Sequence, residues 1–80
     1  MSKEVLVFSA VWCGNCGPWK EYLDSQGVEY TSVDVDSQEG MKLAQQHRVR
    51  GIPTTVILRD GVVVRNIVGA KPNELEVLVD

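Results

Sequence analysis

The sequence predicts an α/β domain: a single mixed four-stranded sheet with helices on both faces, in the order βαβαββα. Three observations carry this. Short β-branched runs alternate with stretches of helical periodicity through the first half of the chain. Two later β-branched runs are separated only by Asp60-Gly61, a strong signal for a tight hairpin and hence for antiparallel strands. No internal repeat, linker or low-complexity segment divides the 80 residues, so residues 1–80 are expected to form one domain.

Taken in order, Val5-Leu6-Val7-Phe8 is a continuous apolar run, the pattern of a strand covered on both faces. From about 17 to 26, Trp19, Tyr22 and Leu23 recur at helical spacing, and Gly27 follows where a left-handed cap would end the helix. Residues 28–35, rich in Val, Thr and Tyr, predict a second strand. Asp36 with Glu39 fits a capping box for a second helix reaching to about 48. Its apolar face is thin, with Met41 and Ala44, Leu43 at the border and Val49 just beyond, and Gly40 is expected to weaken it by up to about 1 kcal/mol. Residues 55–58 and 62–68 are the hairpin strands, and Pro72 opens a last helix with Leu75, Leu78 and Val79 as its stripe.

Composition narrows the function. Hydrophobic residues at 44% and charged residues at 24% describe a globular chain, and the net charge of −3 with dispersed Lys and Arg argues against nucleic acid as a partner. No apolar run approaches the length of a membrane span, and the N-terminal apolar stretch is too short for a cleaved signal, so a cytoplasmic location is expected. A monomer is expected too, since no heptad or apolar surface stripe is evident.

The two cysteines of the chain lie together in VWCGNCGPW, residues 11–19. As a staple the pair is poorly placed: closing so short a loop contributes about 2 kcal/mol, against nearly 5 for a loop of about 100 residues. As a zinc site it lacks partners, because only His47 and carboxylates remain and there is no second C-x-x-C; no metal or cofactor is therefore expected. Redox chemistry needs what is present, two thiols that pair reversibly, at a strand-to-helix junction where unpaired N–H groups favour a thiolate. Cys13 is then the nucleophile and Cys16, one turn in and more buried, attacks the mixed disulfide.

At these residues the chain resembles the thioredoxin and glutaredoxin family. WCGNC resembles its active-site motif, and residues 49–70, VRGIPTTVILRDGVVVRNIVGA, resemble the proline loop, hairpin and final glycine of thioredoxins; the length is more like a glutaredoxin. The resemblance implies a thioredoxin-like fold and a protein-disulfide reductase, with disulfide-containing proteins as substrates and a thioredoxin reductase or glutathione as electron donor. It implies a cis bond before Pro53 facing the disulfide, and a backbone at Ile52 that pairs with an extended substrate segment. The implied substrate contacts are Trp12, Gly14, Asn15, Ile52, Pro53 and Gly69. A potential in the family range, roughly −200 to −270 mV, follows.

Several features depart from the family pattern. Gly14-Asn15 stands where thioredoxins usually carry a proline, and Pro18 requires that the helix either kink or begin late, near Gly17. The family's buried aspartate is Val7 here and its lysine partner is Ser32, so proton transfer at Cys16 must use another route. Trp12 is read either as a wall of the substrate groove or as core packing, Gly69 either as a close approach to the site or as a turn, and His47 as a surface residue at a helix end. A glutathione-dependent glutaredoxin is the runner-up, disfavoured because NIVGAKPNEL lacks the Gly-Gly and acidic pair that hold glutathione. The remaining alternative is a non-catalytic module binding a protein partner, or a metal between two chains.

Overall fold

In a computed structural model, which describes residues 2–74, 76 and 78, the chain runs β1 (Lys3–Ser9), α1 (Cys16–Ser25), β2 (Thr31–Asp34), α2 (Gln38–Gln46), β3 (Thr54–Arg59) and β4 (Val62–Val68). A 3-10 turn over Pro72–Glu74 follows. The strands form one sheet in the order β2-β1-β3-β4. β1 is parallel to β2, while β1 with β3 and β3 with β4 are antiparallel. The predicted mixed sheet is therefore present.

The continuous apolar run of β1 is explained by its central place. Val5 and Val7 point to one face, where Trp19 and Leu23 of α1 join Val28, Ile57, Ile67 and Leu78. Leu6 and Phe8 point to the other, packing with Val33, Val56 and Leu58, and with Leu43 and Ala44 of α2. Each helix thus covers one face, as the alternation of side chains along a doubly buried strand requires.

Trp19 anchors α1 to the sheet. It is 1% exposed, stacks on Tyr22 and donates its indole N–H to the buried Thr55 Oγ1 at 3.0 Å. Thr55→Val keeps the shape and removes the acceptor, leaving a buried donor unpaired. The expected loss is about 1–3 kcal/mol of unfolding free energy, read from chemical denaturation with an unchanged m-value. The helix ends as expected around Gly27, whose N–H donates to the Asp24 carbonyl while that of Val28 donates to the Leu23 carbonyl, a double bond pattern that closes the last turn.

The structure corrects the sequence reading at several places. The second strand begins at Thr31; Val28 is buried but belongs to the helix-closing turn. The cap of α2 is Ser37 and not Asp36, because the Ser37 hydroxyl accepts the Gly40 N–H at 2.9 Å. The capping box is absent, since the residue three beyond the true cap is Gly40, which has no side chain to reach back. α2 ends at Gln46, with Arg48 in the left-handed region (φ 56°), and Met41 is 51% exposed, so Leu43, Ala44 and Val49 make the apolar contact instead. His47 is half-buried, its ring tilted against Phe8 at 6.0 Å between centroids. The last element opens at Pro72 as a 3-10 turn; Leu78 is buried, and Leu75 and Val79 lie outside the described residues.

The hairpin is as predicted, with Asp60 (φ 53°) and Gly61 (φ 83°) both left-handed, as a turn matched to strand twist demands. Beyond it the register slips, pairing Leu58 with Val63 but Ile57 with Arg65, so Val64 is an extra residue in the edge strand. Val62, Val63, Val64 and Val68 are exposed along that edge, contrary to the expectation that no apolar stripe would appear.

Candidate active site

Strand register assembles the site. Phe8 pairs with Thr54 and Thr54 with Val68, so the residues just outside these pairs, Pro53 and Gly69, lie at the end of the sheet where β1 runs into the cysteine loop. Ser9 pairs with Asp34, which brings Val35 and Asp36 to that same end. Four chain segments, distant in sequence, therefore meet at one rim.

Within the loop, the Cys13 N–H donates to the Ala10 carbonyl at 3.1 Å, turning the chain sharply after β1. Cys13 and Cys16 form a disulfide with 5.4 Å between their Cα atoms. The two sulfurs differ in environment: Cys13 is half-buried, whereas Cys16 is 1% exposed beneath the first turn of α1. Asn15 caps the helix without a side-chain bond, and the first helical hydrogen bond runs from the Trp19 N–H to the Asn15 carbonyl at 3.1 Å. Of the two arrangements that Pro18 allowed, the chain takes the late start. Pro18 falls in the first turn, where its missing N–H breaks no helical bond. Cys16 is the first helical residue and Cys13 precedes it by three, so the positive end of the helix acts on Cys13 from farther away than a helix starting at Cys13 would allow.

Opposite the loop, the Ile52–Pro53 peptide bond is cis and Pro53 is fully buried. Gly69 clasps this turn by donating its N–H to the Pro53 carbonyl at 2.8 Å, with a φ of 89° that favours glycine. Thr54 Oγ1 bonds the Gly51 carbonyl on the other side. Trp12 is 67% exposed, so it is not core; its indole N–H donates to Asp36 Oδ2 at 2.8 Å. The held ring walls a groove of about 310 Å³ completed by Val35, Val49, Arg50, Gly51 and Ile52.

All eight residues singled out from the sequence reach this end of the molecule: Cys13 and Cys16 as the bonded pair, Gly14 and Asn15 exposed in the loop, and Trp12, Ile52, Pro53 and Gly69 around them. The sequence reading missed Asp36 as the partner of Trp12, and Val35, Val49 and Arg50 as groove residues. A signal for Asp36 existed, because it lies just past the end of a strand parallel to β1 and must emerge beside the cysteine loop. Val11, 96% exposed next to Trp12, was also overlooked. Among the described residues, no group of three or more His, Cys, Asp or Glu side chains is placed to hold a metal ion, and no helix is long and apolar enough to cross a membrane.

The thioredoxin family model matches residues 1–80. The chain belongs to the thioredoxin family. Among curated relatives it is 41% identical over 71 residues to the thioredoxin of Bacillus subtilis, covering 84% of this chain and 68% of the relative. Thioredoxin-2 of Pyricularia oryzae is 38% identical over 85 residues, with 96% of this chain and 47% of the relative covered. The chain thus spans about half to two thirds of the length of such relatives. Among solved structures, Fasciola hepatica thioredoxin superposes with a TM-score of 0.84 at 31% identity, covering 96% of this chain and 78% of that one. Spinach chloroplast thioredoxin f gives a TM-score of 0.85 at 28% identity, with coverages of 98% and 74%. Against the thioredoxin pattern, the two positions that lack the family's ionisable pair, Val7 and Ser32, are register partners on adjacent strands.

Proposed function

We propose that this thioredoxin-family chain is a thiol-disulfide oxidoreductase that reduces disulfides in proteins. The observation that carries the reading is the asymmetry of the Cys13–Cys16 pair, one sulfur accessible at the rim and the other 1% exposed beneath it. In the dithiol form the Cys13 thiolate attacks a substrate disulfide, forming a mixed disulfide and expelling the first substrate sulfur as a thiolate. The Cys16 thiolate then attacks the Cys13 sulfur, and the second substrate sulfur leaves. Two electrons and two protons pass to the substrate and the Cys13–Cys16 bond is restored.

Substrate is held by backbone pairing at Ile52 beside Pro53, with the groove between Trp12 and Ile52 receiving a neighbouring side chain. Main-chain pairing of this kind accepts many sequences, so proteins bearing accessible disulfides are the substrate class. A thioredoxin reductase is the electron donor in preference to glutathione, supported by family membership and by the lack of a Gly-Gly and acidic pair in residues 66–75. The protein works in the cytoplasm, where such a dithiol is kept reduced.

Turnover of a protein disulfide driven by NADPH should be fast through thioredoxin reductase and near background through glutathione and its reductase. The reverse ranking would overturn the choice of donor. Equilibrium titration of the pair against a dithiol buffer should give a midpoint of roughly −200 to −270 mV, and a pair that never oxidises across that span removes the redox reading altogether.

A further inference from the structure

The resolving step asks for a thiolate at Cys16, which is 1% exposed. Burial disfavours the charged form of a thiol, and an opposite charge nearby offsets that, adding to what the helix N-terminus supplies. Neither Val7 nor Ser32 can supply one. Near the first turn of α1 the side chains that look toward it from the sheet are uncharged on β1 (Val5, Val7, Ser9), on β3 (Thr55, Ile57) and at Ile67 of β4. The charged residues of that face lie away from Ser9, namely Lys3, whose Nζ donates to the Leu78 carbonyl, its register partner Arg59, and Arg65, which pairs with Glu74. On β2, Ser32 is uncharged and Asp34 is exposed, its Oδ1 holding the Asp36 N–H at 2.9 Å. On α1 itself, Tyr22 packs at the border of the core, and Glu21 and Asp24 are exposed. No charged residue lies between Val11 and Trp19.

Lys20 is the exception. It stands four residues after Cys16 on α1, one turn away on the same face, a spacing that sets Cβ atoms about 5–6 Å apart. Helical side chains lean toward the N-terminus, so the stem of Lys20 passes over the turn that contains Cys16. Its head does not extend into solvent: Nζ donates to Ser9 Oγ at 3.1 Å and to Ser32 Oγ at 3.2 Å. Ser9 is 3% exposed and immediately precedes Ala10, the residue that anchors the Cys13 turn. Both acceptors are neutral hydroxyls. They hold the ammonium in place without cancelling its charge, as a carboxylate would.

We propose that Lys20 is a positioning residue for the resolving step, an ammonium held against the sheet by Ser9 and Ser32 so that Cys16 ionises while buried. This rests on the dithiol exchange proposed above. As Cys16 loses its proton to water, the field of the Lys20 ammonium stabilises the thiolate. That thiolate bonds to the Cys13 sulfur, the Cys13–substrate bond breaks, and the departing substrate sulfur takes up a proton. The serine at 32 thus works as a clamp for a cation contributed by the helix.

The test follows the Cβ carbon shift of Cys16 against pH in the reduced protein, a readout independent of turnover. Lys20→Met should raise the Cys16 titration by about one unit or more and slow resolution of the mixed disulfide about tenfold at neutral pH, with the rate recovered at higher pH. Lys20→Arg, which keeps the charge, should restore most of both. The double variant Ser9→Ala/Ser32→Ala, which frees the ammonium to swing outward, should resemble Lys20→Met and serves as the alternative should the methionine variant not fold. An unmoved Cys16 titration in a folded Lys20→Met or double variant, or Lys20→Arg as impaired as Lys20→Met, overturns the inference. A wild-type protein without reductase activity would instead remove the functional reading, whatever the titration shows.

Discussion

Cys13→Ser should reduce protein-disulfide reduction to the uncatalysed background, while Cys16→Ser should stop it one step later with the substrate still attached. An alcohol is not appreciably ionised near neutrality and forms no disulfide, so the first substitution leaves no group able to open the substrate bond. The second leaves the accessible sulfur intact but removes the one that resolves the adduct. Neither change should unfold the protein, because a disulfide closing so short a loop contributes only about 2 kcal/mol. Intact mass measurement of Cys16→Ser with an oxidised protein substrate should therefore find both chains joined, and a reducing agent should separate them. Retained turnover in Cys13→Ser would falsify the assignment of the nucleophile. Alkylation of reduced protein gives a second reading: Cys13 should react with a midpoint below the ordinary thiol value of about 8.5, though the late start of α1 argues against a deep depression.

The largest effect on stability is expected at Gly40. In an ordinary helix, glycine to alanine gains up to about 1 kcal/mol. Here the sign is reversed. A Cβ at Gly40 would overlap the carbonyl oxygen and carbon of Asp34 and stand 2.8 Å from Ser37 Oγ. That hydroxyl is already committed, accepting from the Gly40 N–H at 2.9 Å and donating to the Asp34 carbonyl at 2.7 Å. The obstacle is backbone and cannot rotate away, so Gly40→Ala must push α2 off the end of β2. A loss of about 3 kcal/mol is expected, which in a domain this small lowers the melting temperature by roughly 12–24 °C. The damage should reach the groove, since Asp36, which holds the Trp12 indole, lies in the displaced turn. KM for a protein substrate should rise more than kcat falls. Gly17→Ala is the control: it too is a helical glycine, but a Cβ there meets nothing within 4 Å. Its expected effect on stability is neutral to slightly favourable, and equal melting temperatures for the two variants would refute the steric account.

These two glycines show how far local reading reaches. The sequence reads Gly40 as a weak helix position and Gly17 as the start of a helix, and only the approach of the Asp34 carbonyl shows that position 40 must lack a side chain. The capping box failed for a related reason. Asp36-Ser37 offers two adjacent capping residues, and the choice between them depends on where β2 releases the chain; Ser37 caps, which leaves the Asp36 carboxylate for Trp12. Periodicity puts Met41 on the apolar face, but Met41 is 51% exposed and Leu43 and Ala44 pack against the cluster that holds Phe8 and Val56.

What the sequence by itself determined is whatever depends on neighbours a few residues apart: the buried central strand, the Asp60-Gly61 hairpin, the amphipathic α1, and the C-x-x-C pair at a strand-to-helix junction. Apolar periodicity, turn chemistry and thiol spacing are local properties, and they are written in residue order. What only the tertiary structure decided depends on segments brought together by strand register: the meeting of Pro53 and Gly69 beside the cysteine loop, the hold of Asp36 on Trp12, the need for glycine at position 40, and the turning of Lys20 onto Ser9 and Ser32. Each of these is a through-space relation between distant parts of the chain, fixed by how β1 pairs with β2 on one side and β3 on the other, and local periodicity does not state it.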